Sequence, residues 1–144
     1  MANSVRNAMT EDPRSIGKSV SVVEAARLMR EQDIGSLPIT DDEKLVGMIT
    51  DRDITTRVVA DATDPRMTPV GDVCSRDLIS VAPDNDLQEA LQLMARHQVR
   101  RLPVVENDRL VGIVAQADIA LRENETKTGE LVEAISAPSA GERS

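Results

Sequence analysis

The sequence contains no phenylalanine, tyrosine or tryptophan. Its core must therefore be packed from aliphatic side chains and methionine, which can still reach the packing density of a protein interior. Proteins that bind single-stranded nucleic acids use aromatic side chains as stacking platforms for the bases. The absence of aromatic residues thus argues against that class of partner.

Positive charge is also scarce, since 17 Lys and Arg residues stand against 25 Asp and Glu residues and the net charge is −8. A protein that binds nucleic acid through its phosphates needs a basic face. We therefore expect no nucleic acid as the main partner. A mononucleotide is not excluded, because its few phosphate charges need only a few well-placed cationic groups.

Cysteine, histidine and long apolar runs are rare as well. The single cysteine, Cys74, permits no internal disulfide and is expected to be a buried thiol rather than a nucleophile. The single histidine, His97, has no second imidazole or thiol as a metal partner, so no metal site is expected.

No Ser-His-Asp set or phosphate-binding Gly-rich loop occurs, which predicts a protein without catalytic residues. No apolar run approaches the roughly 20 residues that span a bilayer, and the N-terminus lacks the apolar region of a signal peptide. We therefore expect a cytoplasmic protein without a membrane partner.

What the sequence does contain is an internal repeat. Shifted by 65 positions, residues 25–54 fall on residues 90–119 without a gap, and each aliphatic or methionine residue of the first copy meets another such residue in the second. A repeat of fixed period indicates a repeated structural unit. We therefore divide the chain into a first repeat, a linker, a second repeat, and a C-terminal helical turn with a mobile tail, at residues 5–60, 61–69, 70–123 and 124–144.

Each repeat predicts the same order of elements. A short β-prone stretch precedes a helix that begins after Ser21 or Asp86 and carries apolar residues at i, i+3, i+4 and i+7. Two short apolar runs around a polar turn then predict a strand pair, which a second helix follows. Pro38 and Pro103 lack the N–H for a sheet ladder, so their strands should lie at sheet edges or begin there. The fold class is therefore α+β, with two βαββα-type units related by pseudo-twofold symmetry, their sheets packed together and their helices outside. Clefts are expected at the junction, where ligand sites usually form.

The most informative segment ends the second long strand of the first repeat. Thr50 closes the strand, and Asp53 lies in the first turn of the next helix. The two residues either form a helix-capping box, or they bind a ligand. In the second case the carboxylate accepts hydrogen bonds from a ribose diol, and the hydroxyl and the helix N–H groups meet phosphate oxygens. Gly47 lets another backbone or a ligand approach the same strand closely.

Both copies resemble CBS domains, and the chain is similar to a paired CBS (Bateman) module over about residues 5–122. The resemblance rests on the Leu37-Pro38-Ile39 strand and on Leu45-Val46-Gly47-x-x-Thr50-x-x-Asp53-Ile54, which recur as Leu102-Pro103-Val104 and Leu110-Val111-Gly112-x-x-Ala115-x-x-Asp118-Ile119. It implies a non-enzymatic regulatory module that binds AMP, ADP or ATP between the repeats, with S-adenosylmethionine or NAD as further candidates and no required cofactor. It also implies a homodimer that signals to an unidentified effector protein. The alternative is a structural or stress-associated dimeric scaffold without a ligand.

Position by position, the resemblance assigns a ribose to Asp53, ribose or phosphate to Thr50, and the equivalent role in a second site to Asp118, with Gly47 and Gly112 beside them. The second repeat lacks the hydroxyl, because it has Ala115. It has Arg100 and Arg101 before its Leu-Pro strand, where the first repeat has Gly35 and Ser36. Guanidinium groups are good phosphate partners, although such a pair is also typical of a solvated surface. One repeat thus offers the better ribose motif and the other the better phosphate charge, and we expect at most one tight nucleotide site.

Overall fold

The structure, a computed structural model, describes residues 3–124. It contains six strands, namely β1 Thr10–Glu11, β2 Ile16–Gly17, β3 Ser36–Asp41, β4 Lys44–Thr50, β5 Arg101–Glu106 and β6 Arg109–Ala115. The helices are α1 Val22–Gln32, α2 Asp51–Ile54 with a π-helical continuation Thr55–Val59, α3 Val70–Val73, α4 Leu87–His97 and α5 over 116–124, and a 3-10 turn covers Val5–Asn7. The C-terminal turn and tail expected after residue 124 lie outside the described residues. Within the described part of the chain, no helix combines the length and apolar character needed to cross a membrane.

The two long helices begin as the sequence predicts. The Glu24 N–H donates to Ser21 Oγ at 3.4 Å, and the Gln88 N–H donates to the Asp86 carboxylate at 3.0 Å. These bonds satisfy N–H groups that have no partner inside the helix. Three residues of each predicted apolar face are buried, namely Val22, Ala25 and Met29 in α1 and Leu87, Ala90 and Met94 in α4. The i+4 residues differ from the prediction, since Ala26 is exposed and Leu91 is half-buried.

The predicted strand pairs are two antiparallel hairpins, β3–β4 and β5–β6. Each turn has two central residues in the left-handed region, with φ of 52° and 69° at Asp42 and Glu43, and 54° and 66° at Asn107 and Asp108. Two consecutive positive φ values suit the right-handed twist of the flanking strands. The polar turns therefore fix the hairpin register in both repeats.

The sheet order is β1-β6-β4-β3-β2, with β5 also paired to β6. Since β3 has neighbours on both sides, the expectation that Pro38 marks an edge strand is wrong. Pro38 lies opposite Met48, whose N–H and C=O bond to Ser75 at 3.0 and 2.9 Å and so point away from β3. On its other side β3 pairs with β2 at Ile39 and Thr40. The missing N–H of Pro38 therefore falls where neither ladder needs it.

The two repeats exchange their N-terminal segments, which the sequence did not predict. Residues 4–11 lie at the start of the first repeat but pack on the second, where Val5 is wholly buried in the core and β1 pairs with β6. Residues 69–75 pack in the same way on the first repeat, where Val70 is wholly buried. Each hydrophobic core is thus completed by a segment that lies next to the other repeat in the sequence.

The pseudo-twofold axis passes between Lys44 and Arg109, which occupy equivalent positions of the two repeats and pair with each other. The Leu45 N–H donates to the Asp108 carbonyl at 3.4 Å, and the equivalent Leu110 N–H donates to the Glu43 carbonyl at 3.1 Å. These reciprocal bonds join β4 to β6 and place the two halves side by side in one curled sheet.

Candidate functional site

Thr50 and Asp53 form a reciprocal capping box at the start of α2. The Asp53 N–H donates to Thr50 Oγ1 at 3.0 Å, and the Thr50 N–H donates to Asp53 Oδ2 at 2.9 Å. The other carboxylate oxygen, Oδ1, lies 3.9 Å from Nε of Arg57. The capping interpretation of this motif is therefore confirmed, and both oxygens of Asp53 already face a donor.

The equivalent motif in the second repeat is arranged differently. Ala115 has no hydroxyl, so no capping box forms at the start of α5. The carboxylate of Asp118, which is half-buried, makes no hydrogen bond or ion pair with residues 3–124. The second repeat thus has a carboxylate with no partner among residues 3–124, where the first repeat has one that is held.

Asp118 lines a cleft of about 330 Å³ that lies between the two repeats. The second repeat also contributes Arg101 and Ile113, and the first contributes Ser36, Pro38 and Met48. Ser36 and Arg101 are equivalent positions, as are Met48 and Ile113, because each pair is separated by 65 residues. Residues of both repeats therefore face the same space, and the cleft lies at their junction.

The cleft combines apolar walls with a few polar groups. Its cationic groups are Arg101 and Arg14, and its anionic group is Asp118. In the described part of the chain, neither guanidinium is in an ion pair or a side-chain hydrogen bond. Apolar walls with a small number of converging polar groups are typical of small-molecule sites, whose volumes range over roughly 300–1,000 Å³. The arrangement is suited to a ligand with an apolar ring, a hydroxyl-bearing part and a negative charge.

Arg14 was missed in the sequence because no local pattern marks it. It reaches the cleft because the exchanged segment ends at β1 on the second repeat, and the chain must then return to the first repeat to form β2. The loop between these strands, which carries Pro13 and Arg14, therefore passes over the junction. The repeat itself offered no clue, since the equivalent of Arg14 is Ile79.

Gly47 and Gly112 lie where the exchanged segments contact the strands. A Cβ at Gly47 would lie 2.7 Å from Cys74 Sγ and 2.9 Å from the Ser75 carbonyl oxygen. A Cβ at Gly112 would lie 2.8 Å from Met9 Sδ, with a carbonyl oxygen at 3.0 Å. The sequence predicted that a glycine here admits either another backbone or a ligand. The structure shows the close approach of another backbone, and a ligand contact at these positions stays a prediction.

The remaining candidates lie apart from the cleft. Thr50 and Asp53 are not among the residues that line it, and neither is Arg100, which is exposed. His97 ends α4 and is exposed. Cys74 is buried in the core of the first repeat, which confirms the expectation of a buried thiol. Across residues 3–124, no group of three or more His, Cys, Asp and Glu side chains is arranged to hold a metal ion.

A larger groove of about 490 Å³ lies on the helical face of the first repeat. It is lined mainly by apolar side chains of α1 and of the helix that follows β4, such as Val22, Ile54 and Val58. None of the predicted site residues lines this groove. We therefore place the candidate site in the smaller cleft, which charged side chains of both repeats line.

Within the described residues, the carboxyl group of Asp64 has a shifted pKa, and it lies in the linker, away from the cleft. Hydrogen bonds from the side chain and the backbone N–H of Arg66 hold the pKa of Asp64 below its ordinary value. Both groups are exposed, so this pair stabilises a turn and takes no part in the site.

Comparison with known proteins agrees with the repeat and the topology. The CBS domain family model matches residues 5–60 and again residues 70–124. The chain is 42% identical over 121 residues to the CBS domain-containing protein YhcV of Bacillus subtilis, covering 84% of this chain and 86% of that protein. It is 41% identical over 136 residues to hypoxic response protein 1 of Mycobacterium tuberculosis, covering 94% of this chain and 95% of that protein.

Solved structures show the same fold. The crystal structure of hypoxic response protein I with two coordinated zinc ions has a TM-score of 0.78 at 42% identity, covering 83% of this chain and 98% of that one. The CBS domain pair of protein MJ0100 in complex with 5′-methylthioadenosine and S-adenosyl-L-methionine has a TM-score of 0.75 at 26% identity, covering 88% and 99%. CBSX2 in complex with AMP has a TM-score of 0.75 at 26% identity, covering 86% and 98%. This chain, with its two matching repeats and the cleft between them, belongs to the CBS domain family as a tandem pair of CBS domains.

Proposed function

We propose that this protein is a non-enzymatic sensor that binds an adenosine-containing ligand, AMP, ADP or ATP before S-adenosylmethionine or NAD, in the cleft between its CBS domains. The observation that carries the proposal is the convergence of Asp118, Arg101 and Arg14 in one cleft, with no partners for these side chains among residues 3–124. Unpaired charges at a junction between two halves are typical of a ligand site.

The chemistry of the cleft supports this ligand class. A carboxylate with open acceptor positions can receive two hydrogen bonds from a ribose diol. A guanidinium is planar and offers paired donors to a phosphate or carboxylate group. Ile34, Pro38, Met48 and Ile113 provide apolar surface for an adenine ring. The ligands named for MJ0100 and CBSX2 all contain adenine attached to a ribose ring.

The site also suggests how binding would be transmitted. Arg14 lies on the loop that leaves the exchanged segment, whereas Arg101 and Asp118 belong to the second repeat. A ligand that binds both would favour the conformations in which these parts are close together, and a partner protein would recognise the change. We propose that this output passes to a separate effector protein, and that the module acts as a homodimer in the cytoplasm.

Arg101 and Arg100 provide a matched pair of variants for the test. AMP, ATP and S-adenosylmethionine are added separately to the purified protein, and thermal unfolding is recorded. A ligand at 100 times its dissociation constant stabilises the fold by about 2.7 kcal/mol. We expect Arg101→Gln to lose most of this stabilisation and Arg100→Gln to keep it, because Arg100 does not line the cleft.

Native mass spectrometry of freshly purified protein gives an independent measurement, since it reports the oligomer and any nucleotide that co-purifies. No stabilisation of the wild type by any of the three compounds at millimolar concentration would refute the ligand-binding function. That result would favour the scaffold alternative.

A further inference from the structure

The helical face of the first repeat carries an apolar groove that the candidate ligand site does not use. The groove has a volume of about 490 Å³ and is lined by α1 and by the helix that follows β4. Val58 and Val59 line it from the π-helical turn, and Val59 is 68% exposed. Single π-helical turns are rare and occur frequently at functional sites. An exposed apolar surface of this kind is typical of a face that another protein covers.

The helical face of the second repeat has a different character. Gln88, which is equivalent to Val23 of the groove, donates from Nε2 to Glu123 Oε1 at 2.8 Å. A polar bond therefore joins α4 to α5 at a position where the first repeat has an apolar wall. On α5, the side chain of Leu121 is 60% exposed. One repeat thus has an apolar groove, whereas the other has an exposed apolar side chain.

The two faces also differ in charge. Among the residues that line the groove, Arg30 has no ion pair or side-chain hydrogen bond with residues 3–124. Its equivalent in the second repeat is Ala95, which carries no charge. On α5, Glu123 bonds to the uncharged amide of Gln88, so its negative charge is not neutralised there. The groove therefore has an unpaired positive charge, and the face with Leu121 has an unneutralised negative one.

A twofold dimer can pair these faces in two ways. If like repeats meet, the groove faces a second groove, and Arg30 of one chain faces Arg30 of the other. If unlike repeats meet, Leu121 of each chain faces the groove of the other, and Glu123 approaches Arg30. The second arrangement fills an apolar groove with an apolar side chain and pairs opposite charges. The first arrangement opposes like charges, which disfavours association.

We propose that the groove of the first CBS repeat binds Leu121 in the second CBS repeat of another copy of this chain, and that the dimer therefore pairs unlike repeats. The inference rests on the homodimer of the proposed function and adds its orientation, but it does not depend on the ligand. A twofold axis repeats the contact, so each dimer contains it twice. Because α5 also carries Asp118, one helix connects the candidate ligand cleft to the dimer contact.

Cysteine cross-linking tests the orientation in the full-length protein. Ala26 lines the groove and is exposed, and Ala117 is exposed one helical turn before Leu121. Two differently tagged chains, Ala26→Cys and Ala117→Cys, are co-expressed, and the purified protein is treated with a short bismaleimide. We expect the product that joins the two tags to dominate, whereas each variant alone should cross-link weakly. The wild type is the control and should not cross-link, since its single cysteine, Cys74, is buried.

Equilibrium sedimentation measures the strength of the same contact. Leu121→Asp should weaken the dimer about a hundredfold, because a leucine side chain is lost from an apolar contact at two places in each dimer. Leu78→Asp is the matched control, since Leu78 is also exposed and lies outside the helices of both faces. It should leave the dimer unchanged. Thermal unfolding of both variants shows that they are folded.

Four results would count against these proposals, in different ways. A wild-type protein that stays monomeric at all concentrations refutes the homodimer together with this inference. If the Ala26→Cys thiol of such a monomer is also protected from maleimide, the groove is covered by residues 125–144 of the same chain. A dimer in which Ala26→Cys alone cross-links as strongly as the mixture refutes the orientation only. Equal weakening of the dimer by Leu121→Asp and Leu78→Asp refutes the role of Leu121.

Discussion

Replacement of Gly47 by alanine tests the exchange of segments between the repeats. The new Cβ would lie 2.7 Å from Cys74 Sγ and 2.9 Å from the Ser75 carbonyl oxygen. The Ser75 backbone is held in place by two hydrogen bonds to Met48, at 2.9 and 3.0 Å, and Cys74 is buried. Neither neighbour can therefore move without loss of other contacts.

Extra volume in a well-packed region costs about 1–3 kcal/mol. A change from glycine to alanine where the backbone and the space allow it instead stabilises by about 0.4–1 kcal/mol, because the unfolded chain loses freedom. Gly17 is the matched control, since its Cβ would lie 3.8 Å from Val20 Cγ2, an ordinary contact. We expect Gly47→Ala to be about 2 kcal/mol less stable than the wild type and Gly17→Ala to be neutral or slightly more stable.

Urea denaturation measures both variants. The midpoint of Gly47→Ala should fall while the slope m stays constant, since the surface exposed on unfolding does not change. In the double variant with Cys74→Ala the destabilisation should be smaller than the sum of the two single effects, because the contact with Sγ is removed. Gly112→Ala should cost less than Gly47→Ala, since a methionine side chain adapts more easily than a buried cysteine. If Gly47→Ala is as stable as Gly17→Ala, residues 74–75 do not lie against β4 and the exchange is refuted.

Three further predictions concern single side chains. Val5→Ala should cost about 2 kcal/mol by urea denaturation, because Val5 is wholly buried in the core of the second repeat; the control Val59→Ala, at a side chain that is 68% exposed, should cost almost nothing. Equal effects would show that the N-terminal segment is not part of that core. Thr50→Ala should cost about 1 kcal/mol through loss of the cap, and Thr50→Ser should restore most of it. NMR titration should find the pKa of Asp64 below its ordinary value in the wild type and nearer to it in Arg66→Ala. Because the folded-state pKa is depressed, any stability from this pair is present above the unfolded-state pKa and is lost as the pH falls through the folded-state value.

Local features of the chain were predictable because their causes are local. The caps at Ser21 and Asp86, the buried stripes of α1 and α4 and the polar hairpin turns all depend on residues within a few positions of one another. The capping box at Thr50 belongs to the same class, since both partners lie in one helical turn. The repeat strengthened these predictions, because each local pattern occurs in both copies.

The candidate site was only partly predictable. Arg101 and Asp118 were marked by comparison of the repeats, and the structure places both in one cleft. Arg14 carries no local signal and enters the cleft through the path of the loop between β1 and β2. The edge-strand expectation for Pro38 was wrong for a related reason. A sequence shows that a proline lacks an N–H. It does not show whether the neighbouring strands need a hydrogen bond from that position.

The sequence by itself determined that two equivalent α+β units exist, which face of each helix is buried and which residues turn the chain. Those properties follow from periodicity and from hydrogen bonds between near neighbours. The tertiary structure decided that residues 4–11 complete the core of the second repeat and residues 69–75 that of the first. It also decided that Asp118, Arg101 and Arg14 line one cleft. Both depend on which distant groups meet across the pseudo-twofold axis, and long-range pairing of this kind leaves no periodic trace in the chain.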